Sequence, residues 1–197
     1  DVYKRQLSWV FDQLQSLPSF SPETLALLLT LMQTMPSLSM ASHRMIPPFK
    51  QANPLAPANL PALASILREA TPMHWNSDTP APKAGTWTAH LPFVWDMVLD
   101  LYLGKPHDKN LQGDHDLDDM SSEHQALLKG AAPFPDFFRV VVDESLFATQ
   151  ASPERKSWGF QVLHRTLPRA SADVLPFLFT PNLMRTWVNQ LSVPDRL

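Results

Sequence analysis

The amino-acid sequence predicts an all-α fold, and three observations carry that reading. Apolar residues recur at i, i+3, i+4 and i+7 in several windows, the spacing of one face of a helix. Three hydroxyl–proline pairs, Ser21-Pro22, Ser152-Pro153 and Thr180-Pro181, mark helix starts. In each, the hydroxyl oxygen is placed to accept an otherwise orphaned backbone N–H, and a proline at the first helical position forfeits no bond. Strand signals are scarce: no strict apolar–polar alternation lasts six residues, and the β-like run at 140–142 is flanked by helical sequence.

Taken in order, the segment 25–32 is apolar nearly all round and is expected to be a buried helix behind the Ser21-Pro22 start. Leu60, Leu63, Ala64 and Leu67 define a shorter helix. Val94, Met97, Val98, Leu101 and Tyr102 place one over 92–103, and Phe134, Phe137, Phe138, Val141, Val142 and Ser145 place another over 134–147. The Ser152-Pro153 start opens a helix over 153–167. Leu183, Met184, Trp187, Val188 and Leu191 give the last, over 181–191, with Asn182, Arg185 and Asn189 on its opposite face. These last four helices are expected to pack in antiparallel succession, because each apolar stripe needs a partner and the connections are short.

Twenty prolines against five glycines punctuate the apolar runs rather than interrupt them. Helices of this length joined by Pro-rich turns are what stacked helix pairs require, so the expected architecture is an armadillo- or HEAT-like α-solenoid, although no residue-level repeat is visible. The helical domain is expected over 7–197, interrupted by mobile loops at 36–57, 71–90 and 105–124. Residues 1–6 read like the in-frame translation of a transposase sequencing adapter, so native sequence is expected to begin at Leu7 and the chain to be a fragment.

With 197 residues, 44% hydrophobic and 18% charged, the composition is globular. The lack of cysteine excludes a disulfide framework and a Cys-ligated zinc site. The longest apolar run is far below the roughly 20 residues of a membrane span, so no membrane partner is expected. A net charge of −3 supplies no general attraction to phosphate backbones. From residue 134 onward seven basic residues face six acidic ones, which is neutral rather than a basic patch.

The run Asp114, Asp116 and Asp118 begins like a calcium loop, then fails where an EF-hand needs glycine and glutamate: Asp119 and Gln125 stand there. With His107, His115 and His124 nearby, the expected reading is a solvated acidic insertion, and no metal or other cofactor is expected. No nucleophile elbow or zinc-binding H-E-x-x-H helix exists. Trp95, Trp158 and Trp187 fall on or beside apolar stripes and are expected to be core rather than stacking platforms for bases. Asp143 and Glu144 close one helix where Arg155 and Lys156 open the next, both against the helix dipole. The favoured reading is an ion pair across the turn. The alternative is that Arg155 and Lys156 present a site for RNA phosphate. Candidate partner-binding residues are therefore Arg155, Lys156, Asn182, Arg185 and Asn189.

The segments VVDESLF, SPERKSWGFQVL and TPNLMRTWVNQLSVPDR, with HLPFVWDMVLDL upstream, resemble the family called DNA polymerase V in fungi and Myb-binding protein 1A in animals. The likeness covers 90–103 and 134–197. A polymerase needs carboxylates that hold paired magnesium ions about 4 Å apart. Asp116 and Asp118 sit in the insertion and Asp143 with Glu144 on a helix, so neither pair meets that need, and no enzyme is expected. The resemblance implies a nuclear, nucleolar scaffold in ribosomal RNA synthesis or processing and ribosome biogenesis, or alternatively a DNA-binding transcriptional regulator at ribosomal DNA. It implies pre-ribosomal particles or nucleolar proteins as partners, with RNA or ribosomal DNA contacted through parts outside this sequence.

Overall fold

The structure is a computed structural model that describes residues 2–17, 20–34, 46–69, 91–104 and 127–192. Among the described residues every regular element is helical. Helix α1, Val2–Ser16, runs through the opening hexapeptide, where Arg5 and Gln6 are exposed, and buries Phe11 and Leu14 further along. Helix α2, Pro22–Thr34, starts where expected: Ser21 Oγ accepts the Thr24 N–H at 3.3 Å, and Glu23 sits at the positive end of the helix dipole. Its Leu25, Ala26, Leu28, Leu29 and Met32 are buried.

The described part of the first Pro-rich loop, residues 46–57, is irregular but packed. Ile46, Phe49 and Leu55 are buried in the core, and the side chain of Asn59 holds the segment's backbone. Asn59 Oδ1 accepts the N–H groups of Lys50 at 2.6 Å and Gln51 at 3.2 Å, while its Nδ2 donates to the carbonyls of Gln51 and Asn53. A buried amide with all four bonds made costs little and rigidifies the loop around it. The loops expected at 71–90 and 105–124 lie outside the described residues.

A single 3-10 turn, Pro57–Asn59, leads into α3, Leu60–Leu67, whose Leu60, Leu63, Ala64 and Leu67 are all buried as their spacing predicts. Helix α4, Phe93–Leu103, ends at Gly104, whose φ of 74° a side chain would strain. Its Trp95 is fully buried, and the indole N–H donates to the Leu67 carbonyl at 3.2 Å. Helix α6 is Pro153–Thr166, α7 the short Leu175–Leu178, and α8 Pro181–Leu191. Between α4 and α6 lies α5, which begins as Phe134–Phe137, continues as a π-helix over Phe138–Asp143 and closes as Glu144–Leu146.

The π-helical stretch is the main departure from the expected register. A π turn closes i to i+5 bonds and takes up one residue more than an α turn; here the Glu144 N–H donates to the Arg139 carbonyl and the Phe147 N–H to the Val142 carbonyl. The stripe expected to end on Ser145 therefore arrives late, on Leu146 and Phe147, which are fully buried. Phe147 lies against Gly159 of α6, where an added Cβ would stand 2.6 Å from the ring.

Helix α2 packs on α3 and α4, α3 packs on the π-helical stretch, and α6 packs on both α4 and α5. Two ion pairs fix the direction of α6 relative to α4: Arg165 of α6 meets Asp96, and Arg169 in the turn that follows α6 meets Asp100, both with a sequence offset of 69. A constant offset means that the two helices run the same way, as the first and third members of an antiparallel succession do. No helix among the described residues is long and apolar enough to cross a membrane.

Candidate interaction site

The chemistry-bearing residues of the C-terminal half gather where α5 meets α8, because the π turn rotates Asp143 inward. Its carboxylate is buried and fully engaged: Oδ1 accepts from Thr180 Oγ1 and from the Leu183 N–H at 2.9 Å, and Oδ2 accepts from Asn182 Nδ2 at 3.0 Å. Asp143 thus caps α8 from another helix. Thr180, expected to be that cap, forms no capping bond and donates its hydroxyl to Asp143 instead. Ser152 behaves as expected, accepting the Arg155 N–H at 3.4 Å.

This arrangement corrects the expected ion pair across the α5–α6 turn. Asp143 turns toward α8, and Glu144 pairs with Arg139 at 2.6 Å. Those two residues are five apart, a spacing that the π turn brings onto one side of the helix. Among the described residues Arg155 and Lys156 make no ion pair, and both are half-buried on the first turn of α6. Of the other candidate contact residues, Asn182 is occupied by Asp143, Arg185 reaches Thr149 Oγ1 at 3.5 Å, and Asn189 is exposed.

Sequence reasoning missed the α4–α6 brace. Arg169, with a side chain only 8% exposed, donates to Asp100 at 2.6 Å and to the Gly104 carbonyl, while the Arg165–Asp96 pair beside it is more open. The signal was present as Asp96 and Asp100 on one helix and Arg165 and Arg169 at and just beyond the end of another, each pair four residues apart. Deciding that the two pairs meet needed the fold.

Trp95 and Trp158 are buried, as expected, but Trp187 is 37% exposed. It belongs to an apolar stripe of α8, with Met184, Val188 and Leu191, that is exposed throughout; only Leu183 and Thr186 of that helix are buried. Phe177 and Phe179, just before α8, are exposed too. Among the described residues no three His, Cys, Asp or Glu side chains come together in a way that could hold a metal ion. The acidic insertion with its histidines lies outside them. What the described surface offers is contact: an apolar helix face, a few cations on α6 and α8, and braced helices behind them.

Such a molecule is an all-helical packing unit among its described residues. The chain belongs to the DNA polymerase phi family, whose description matches residues 1–197, in agreement with the resemblance carried by the segments around Trp95, Trp158 and Trp187. It is 31% identical over 148 residues to the rDNA transcriptional regulator pol5 of Schizosaccharomyces pombe, covering 75% of this chain and 13% of that protein. It is also 31% identical over 148 residues to the rDNA transcriptional regulator POL5 of Saccharomyces cerevisiae, covering 73% of this chain and 14% of the yeast protein. The chain therefore spans about one seventh of the length of these curated relatives. No solved structure matches it.

Proposed function

We propose that this chain is part of a non-catalytic nuclear scaffold that works in the nucleolus, in ribosomal RNA synthesis and processing and in ribosome assembly. The observation that carries the reading is its kinship with two proteins named as rDNA transcriptional regulators. In mechanism, helices stacked as an armadillo- or HEAT-like solenoid present an extended surface that holds partners together without turnover. The described arginines favour this over a phosphate-binding groove: Arg139, Arg165 and Arg169 are all spent on carboxylates of the chain itself. Arg155, Lys156, Arg185 and Asn189 remain as contact residues for pre-ribosomal particles or nucleolar proteins. RNA or ribosomal DNA would be gripped by parts of the polypeptide beyond these residues.

The relatives' names also favour a second reading, a DNA-binding regulator acting at ribosomal DNA. Gradient sedimentation and chromatin crosslinking of the tagged natural polypeptide separate the two. The scaffold reading expects co-sedimentation with pre-ribosomal particles, weakened by Arg155→Glu with Lys156→Glu without loss of thermal stability, since neither cation is paired with Asp143 or Glu144 and acids suit the first turn of a helix. Crosslinking to ribosomal DNA with no particle association would replace it with the second reading.

A further inference from the structure

Helix α8 has the form of a helix enclosed on two sides, yet the described residues enclose it on one. Met184, Trp187, Val188 and Leu191 stand at i, i+3, i+4 and i+7 and are 42%, 37%, 57% and 77% exposed. Scattered surface apolar residues are ordinary, but a continuous stripe two turns long marks an interface. The helix is also held firmly enough to present that stripe in one orientation, because Asp143 clamps its first turn and Leu183 and Thr186 anchor its inner edge.

We infer that this stripe is an intramolecular seam, covered in the natural polypeptide by an amphipathic helix from sequence beyond these 197 residues. Two observations favour that occupant over a separate partner, and the oligomeric state read in the test below separates it from a second copy. The relatives carry about seven times the length matched here, so the covering helix has ample chain to come from. The stripe is also nearly uncharged: Arg185 is the one ionisable residue of α8, and it reaches toward Thr149. Partners that meet by diffusion gain speed and register from complementary charge, whereas a segment joined by the chain itself is already delivered and needs only apolar fit. The inference stands apart from the nucleolar role, because its test reads side-chain accessibility and not particle association.

The test places single cysteines in the natural polypeptide at Val188, Asn189, Gln190 and Leu191, and follows maleimide labelling of the peptide that carries them by mass spectrometry. With the polypeptide monomeric by sedimentation, Val188→Cys and Leu191→Cys are expected to label at least about tenfold more slowly than Asn189→Cys and Gln190→Cys, the protection of a local opening equilibrium. Ending the chain after Leu197 is expected to abolish that difference. Equal, fast labelling at all four positions in the natural polypeptide overturns the seam. Protection that appears only with dimer formation overturns it in favour of a second copy. Protection that persists in the 197-residue chain as a monomer overturns it in favour of a cover from within this sequence.

Discussion

Helices α4 and α8 are each eleven residues long and each carries an apolar stripe of the same spacing, but their surroundings differ completely. Helix α4 buries Val94, Trp95, Val98, Leu99 and Leu101 among α2, α6 and the loops around them, and is braced to α6 by the Asp96 and Asp100 ion pairs. Helix α8 buries Leu183 and Thr186 and relies on a carboxylate from α5 to hold its first turn. A stripe says that a helix needs a partner; it does not say that the partner lies in the same stretch of chain. The difference between the two helices is one of enclosure rather than of sequence pattern.

The tryptophans give the widest test of that difference. Trp95→Ala removes a fully buried indole and its bond to the Leu67 carbonyl, and is expected to cost about 3–5 kcal/mol of unfolding free energy. Trp187→Ala removes a side chain already in contact with water and is expected to cost less than about 1 kcal/mol. Urea denaturation of the 197-residue chain measures both. Similar costs would mean that α8 is enclosed after all.

Asp143 makes the sharpest test within α8. Asp143→Ala deletes one carboxylate with three donors and leaves the Leu183 N–H orphaned in a buried place, so a loss of about 3 kcal/mol is expected. Hydrogen exchange should show where the loss falls: amides of α8 exchange faster while those of α4 keep their protection. If both helices loosen together, α8 is part of the core's cooperative unit and not an edge element.

The places where sequence reasoning succeeded and failed have the same physical cause. The starts of α6 and α8 were legible because a proline at the first helical position acts within one turn, and the span of α4 because its apolar residues recur at helical spacing. The π turn in α5 was not, because nothing in Phe-Arg-Val-Val-Val-Asp distinguishes a wide turn from an ordinary one; packing against α3 and α6 decides it. That one extra residue moved Asp143 inward and Glu144 toward Arg139, and so removed the ion pair expected with Arg155 and Lys156. The candidate contact residues were legible only as exposed polar positions, and Asn182 among them proved to be part of the clamp.

Three further substitutions probe how tightly the α4 side is built. Gly159→Ala places a Cβ within 2.6 Å of the buried Phe147 ring and is expected to cost about 1–3 kcal/mol, with Phe147→Leu restoring part of it by making room. Arg169→Met removes a nearly buried guanidinium from Asp100 and Gly104 and is expected to cost about 1–2 kcal/mol, while Arg165→Met, at a more exposed pair, should cost less than about 1 kcal/mol. Thermal melts suffice to rank the three. Equal losses at the two arginines would show that the brace acts as one unit.

The smallest expected effect lies inside α4 itself. Tyr102 packs its ring at a tilt against Phe134 and Phe137, with centroids 5.4 and 4.9 Å away, but its hydroxyl is buried and has no hydrogen-bond partner among the described residues. Burial accordingly pushes the phenol well above its ordinary value of 10.0. Below that value the group is protonated in both folded and unfolded chains and contributes no pH dependence. Above about pH 10 the unfolded chain loses the proton while the folded chain keeps it, so stability falls as pH rises. Tyr102→Phe keeps the ring contacts and removes the unsatisfied hydroxyl, and is expected to raise stability by up to about 1 kcal/mol at pH 7. Its advantage over the wild type should then widen between about pH 9 and pH 11, because the variant has no phenol at that position to ionise on unfolding. Urea midpoints across that range decide the matter: a variant less stable at neutral pH, with an advantage that never appears, would mean that the hydroxyl is bonded and that even the enclosed helix leans on sequence outside the described core.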